Sequence, residues 1–162
     1  MSTLRIYVFP YLFSLVIALV AVWFAFQLSK SAARARARRS LRAEMISNAK
    51  VTAQITAYAD GQLSGETTVA PMPKYRTRAF LEYKRMGLLE KVPKKISDEL
   101  EQLYLSKDSV NKAGRRQEEL AFGPAAAFPN AHTLRLENLT YARDTAHNVI
   151  EPYQDRLRNT KL

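Results

Sequence analysis

Residues Ile6–Leu28 read IYVFPYLFSLVIALVAVWFAFQL and contain no charged side chain. A helix rises about 1.5 Å per residue, so this stretch is long enough to cross a hydrocarbon core about 30 Å thick. Lipid offers backbone groups no hydrogen-bond partner, which predicts an α-helix throughout. Pro10 falls near the start, where a missing N–H costs least. Tyr7 and Tyr11 cluster at one end and Trp23 lies near the other, the arrangement of interfacial aromatic belts. A cleaved signal peptide has a shorter apolar core behind a basic start. Here only Arg5 precedes the stretch and no cleavage site follows, so an uncleaved anchor is expected.

The flanks predict orientation. Lys30, Arg34, Arg36, Arg38, Arg39 and Arg42 follow the span, and no acid appears before Glu44. Positive flanks stay on the cytoplasmic side. The expected location is the inner (cytoplasmic) membrane, single-pass, with the N-terminus outside and the C-terminal part in the cytoplasm. These six basic residues are expected to touch lipid headgroups, which attract juxtamembrane bases. Nucleic acid is a disfavoured partner, because no aromatic interleaves with the arginines to stack on bases. The expected organisation is an anchor over 1–28, a basic juxtamembrane segment over 29–43 and a cytoplasmic helical domain over 44–162.

Composition narrows the chemistry. The 162 residues include no cysteine, two histidines and five glycines, and the net charge is +10. That removes disulfides, thiolate metal sites and cysteine nucleophiles, and there is no glycine-rich phosphate cradle. The lack of cysteine agrees with a reducing compartment.

Beyond the basic run, helical periodicity dominates. Leu41, Met45, Asn48, Thr52, Ile55, Ala59 and Gln62 recur at spacings of three and four. The first five form the candidate face for a partner helix. Its polar members suit either a seam that fixes register or the solvated edge of a stripe that includes Val51 and Tyr58. Ser64–Pro73 reads as a loop, and a short helix from near Thr77 to Met86 stops at Gly87. A helix is expected over Lys94–Phe122, with Ile96, Leu100, Leu103, Val110, Gly114 and Gln117 near one stripe. The last helix spans about Ala131 to Arg158, with Leu139, Ala142, Ala146, Val149, Tyr153 and Leu157 inward. Pro152 should kink or end it near Ile150. Little reads as strand. The fold class is all-α: one N-terminal transmembrane helix followed by a small antiparallel helical bundle.

Enzyme sites need convergent titratable groups. Asp144, His147 and Glu151 share a helical face, but His132 is about four turns away, and a solvated ion pair is the expectation. His132 is expected at a helix start. Glu44 reads as an exposed ion pair with neighbouring arginines. Glu99 and Glu101 point in different directions, and Tyr104 and Asn111 share a face suited to a buried polar contact. No catalytic, cofactor-binding or metal-ligating residue is assigned. Expected partners are the bilayer and other membrane-protein subunits, or a second copy. Ser14, Ala18, Ala21 and Ala25 supply small residues for close packing in lipid. The expected function is a non-enzymatic accessory or scaffolding subunit; the alternative is a homo-oligomeric sensor or regulator.

Overall fold

This computed structural model describes residues 3–65, 69–158 and 160, with side chains from Tyr11 onward. Every regular element among the described residues is helical: α1 (Thr3–Leu63), α2 (Arg78–Arg85), α3 (Lys94–Phe122), α4 (Ala131–Thr145) and α5 (Glu151–Arg158). Short 3₁₀ turns at Leu89–Lys91 and Pro124–Ala127 join them, and a π turn over Ala146–Ile150 separates α4 from α5. The chain divides into two compact units, Met1–Ala37 and Arg38–Leu162.

In the first unit, the described apolar side chains from Tyr11 to Leu28 are exposed. Phe13, Leu19, Val22, Trp23 and Leu28 all lie more than half open. By length and composition α1 is the one described helix able to cross a membrane. Ile6 belongs to it, but its side chain, like those of Tyr7 and Pro10, falls outside the described ones. Lys30 sets its ammonium 4.1 Å from the ring centroid of Phe26, one turn back.

In the second unit, helix ends follow local chemistry. Gly65, at φ 75°, stops α1 in a left-handed conformation that glycine adopts without steric cost. Residues 66–68 of the expected loop lie outside the described ones. After α2, the Gly87 N–H bonds the Lys84 carbonyl and the Leu88 N–H bonds that of Tyr83. With Gly87 at φ 63° this is a Schellman stop, sealed by buried Leu88.

The core is built from Leu41, Ile55 and Ala59 of α1, Phe80 and Tyr83 of α2, and Leu100, Leu103 and Val110 of α3. Leu139, Ala142, Ile150 and Leu157 come from the α4–α5 arm. That arm returns alongside α3, with Arg156 4.0 Å from Glu99 near the start of α3. The expected all-antiparallel bundle holds only in part. Glu44 meets Tyr104 and Tyr58 meets Gln117, so α1 and α3 run in the same direction. An extended strap over 69–77 makes this possible by carrying the chain back beside both helices: Tyr58 bonds Ala70, and Asn48 bonds Arg76.

The arm also departs from a plain helix. Residue 152 is proline and lacks the N–H an α-helix would use. The π turn absorbs the break, and the Glu151 N–H reaches back to the Ala146 carbonyl. Its wider turn rotates everything downstream. Ile150 and Gln154 are buried, whereas Val149 is exposed and Tyr153 half-buried, reversing the expectation for those positions.

Candidate functional site: a sealed polar seam and an open helix face

An extended strap inside a helical protein must satisfy its own backbone groups. Two asparagines do this. Asn48 Oδ1 accepts the Arg76 N–H at 2.9 Å while its Nδ2 donates to the Arg76 carbonyl at 2.7 Å. Asn111 treats Tyr75 in the same way, at 2.8 and 3.0 Å. Met72 anchors the strap further along. Its terminal methyl lies where a Cβ on Gly114 would sit, so the bare glycine makes room for it.

Glu44 closes the end of the seam. It is 8% exposed rather than a surface partner of the arginines, a correction to the expectation from sequence. Its carboxylate accepts from the Ala79 N–H at 2.8 Å, the Phe80 N–H at 3.3 Å and the Tyr104 hydroxyl at 2.9 Å. A side chain from α1 therefore caps the first turn of α2, for which Thr77 supplies no side-chain cap. Burial and the adjacent Glu44 charge push the Tyr104 phenol far above its ordinary value.

Lys107 was not foreseen. It sits on the buried stripe of α3 between Leu103 and Val110, fully enclosed. Its Nζ lies 4.4 Å from the Tyr104 ring centroid and 5.8 Å from that of Tyr75, with no hydrogen-bond partner. Burial lowers it to about 7, against the opposing pull of Glu44. The Tyr75 hydroxyl, raised by burial to about 12, donates to Thr52 Oγ1 at 3.1 Å. The Thr52 proton is shared between the Asn48 carbonyl at 3.0 Å and Gln154 Oε1 at 2.9 Å. The seam thus ties α1, the strap, α2, α3 and α5 together. Its ionisable members Glu44, Tyr75, Tyr104 and Lys107 are all buried.

The sequence-derived face Leu41, Met45, Asn48, Thr52 and Ile55 is wholly buried within this unit. The chain's own strap and helices pack against it, and Thr52 alone of the five also borders an open groove. Lys30, Arg34, Arg36, Arg38, Arg39 and Arg42 are exposed. His147 Nδ1 lies 2.9 Å from Glu151 in an exposed pair, Asp144 turns to Arg143, and His132 is exposed at the start of α4. No cluster of three or more His, Asp or Glu placed to hold a metal occurs among the described residues.

What remains open on this part of α1 is another face. Ala49, Ala53, Ala57 and Asp60 line a groove of about 430 Å³ whose other wall includes Glu151 and Gln154. Comparison with protein-family models, characterised proteins and solved structures finds no match for this chain.

Proposed function

We infer that this chain is a non-enzymatic, single-pass membrane subunit that docks onto a larger membrane assembly and stabilises or positions it. The carrying observation is a contrast. Its buried ionisable groups are engaged with one another and with the first turn of α2, whereas the stretch from Tyr11 to Leu28 carries no charge and exposes its apolar side chains. Groups committed to one another and to a helix cap form no convergent catalytic set, and an exposed apolar helix calls for lipid or a partner. The exposed basic residues from Lys30 to Arg42 support a cytoplasmic exit, headgroup contact and residence in the inner (cytoplasmic) membrane. Other membrane-protein subunits are the partners of this reading, alongside the bilayer.

One observation favours a regulator instead: the enclosed, hydrogen-bond-free amine of Lys107 beside the Glu44–Tyr104 pair. A regulator would respond to whatever changes that amine's charge.

Photo-crosslinking in intact membranes separates the two. A photoreactive residue at exposed Val22 should give a discrete adduct with a different membrane protein. Adducts with lipid alone, or only with a second copy, would overturn the accessory reading.

A further inference from the structure

The groove on α1 has three features that the seam does not explain. Its floor is methyl groups: Ala49, Ala53 and Ala57 recur every fourth residue, and exposed Ile46 continues the row. Small side chains at such spacing let another helix approach closely. Its ionisable lining, His147 aside, is acidic, namely Asp60, Glu151 and Asp155, in a chain of net charge +10; Asp60 lies 3.6 Å from Arg143 and Glu151 2.9 Å from His147 in exposed pairs, and the acids outnumber these cations. Gln154, only 5% exposed, also lines it, and its Nε2 has no hydrogen-bond partner.

Charge selects the occupant. A second copy packed in parallel would set Asp60 against Asp60. In sequence, the same three-and-four spacing runs back from Ile46 to Arg42 and Arg39, which would also meet their like. Like charges directly opposed are unfavourable. A helix carrying Lys or Arg complements the acidic walls.

We propose that this groove seats a basic helix of a different protein, its small residues on the alanine floor and its cations on Asp60, Glu151 and Asp155. The proposal rests on the accessory-subunit reading and names the surface and the partner's chemistry.

The test uses the full chain in detergent micelles and two labelled alanine-rich helical peptides, one with Lys at every fourth position and one with Glu. The net charge of +10 favours the Glu peptide everywhere else, so a preference for Lys reports a local acidic site. The Lys peptide should bind at least about tenfold tighter than the Glu peptide by fluorescence anisotropy, and less so as salt rises. Ala53→Trp, which fills the floor, and the pair Glu151→Gln with Asp155→Asn, which keeps it, should each weaken binding about tenfold with helicity unchanged. No binding of the Lys peptide, or equal binding by Ala53→Trp, overturns the proposal. So does a wild-type dimer that Ala53→Trp converts to monomer, which assigns the groove to a second copy. Co-purification distinguishes the two levels. If Ala53→Trp retains every partner of the wild type, the groove proposal fails and the accessory reading survives. If the wild type retains none, the accessory reading fails.

Discussion

The Nζ of Lys107 lies 4.4 Å from the ring centroid of Tyr104, whose hydroxyl donates to Glu44 Oε1 at 2.9 Å. One aromatic ring therefore separates a buried cation from a buried carboxylate while touching both. Charge and a π face hold the ammonium where no acceptor reaches it. This arrangement is the source of the lowered Lys107 value, because desolvation outweighs the attraction of Glu44.

Stability should therefore depend on pH with a defined sign. Burial lowers the folded Lys107 pKa to about 7, against about 10.4 for an unfolded lysine. Between those values the unfolded chain holds the extra proton, so stability rises with pH across the window and levels off below it. Lys107→Met should flatten this slope and stabilise the protein at pH 7 by about 1–3 kcal/mol. Chemical denaturation at pH 7 and pH 9 reads both effects. A wild type as insensitive to pH as Lys107→Met would contradict the assignment.

The Glu44 cap makes a separate prediction. Glu44→Ala removes an acceptor from two backbone N–H groups and from Tyr104, and leaves the Lys107 charge uncompensated. A loss of about 3 kcal/mol is expected, with Glu44→Gln and Tyr104→Phe each nearer about 1. Urea titration decides, and a Glu44→Ala midpoint close to wild type would show that α2 does not depend on this cap.

The π turn predicts an inverted mutational pattern. Ile150→Ala should cost about 2–4 kcal/mol, because it empties a fully buried site. Val149→Ala, on the exposed side, should stay within about 0.5 kcal/mol. A continuous α-helix with Val149 inward predicts the reverse order, so thermal unfolding of the two variants distinguishes the registers.

These elements also mark where sequence reasoning succeeds and stops. Helix bounds such as Lys94–Phe122 were legible because uninterrupted periodicity and flanking Gly and Pro report local forces. The buried Leu41–Ile55 stripe was legible as a stripe, but not its occupant. A polar seam position looks the same whether a partner chain or the protein's own strap fills it, and Asn48 is used on Arg76. Lys107 left a trace, a charged residue three before Val110 and four after Leu103, at the spacing of the core itself. Glu44 left a fainter one, three after Leu41 and four before Asn48. What hid the register change at Ile150 is that Pro152 announces a break without saying how the turn absorbs it. The alanine groove was not legible, since Ala49, Ala53 and Ala57 become a floor only when α5 supplies a wall.

Orientation is open to a clean test because the chain has no cysteine. A single cysteine introduced at Thr3 should react with a membrane-impermeant maleimide in intact cells. One at exposed Asn130 should react only after permeabilisation. Labelling of Asn130→Cys in intact cells would reverse the topology drawn from Lys30 to Arg42.

Whether this chain is an accessory subunit is read from the native mass of the tagged full-length chain purified in mild detergent. One or more different membrane proteins should appear in fixed stoichiometry with this chain and be released together when the detergent is made harsh. A bare monomer, or an oligomer of this chain alone, would contradict the accessory reading.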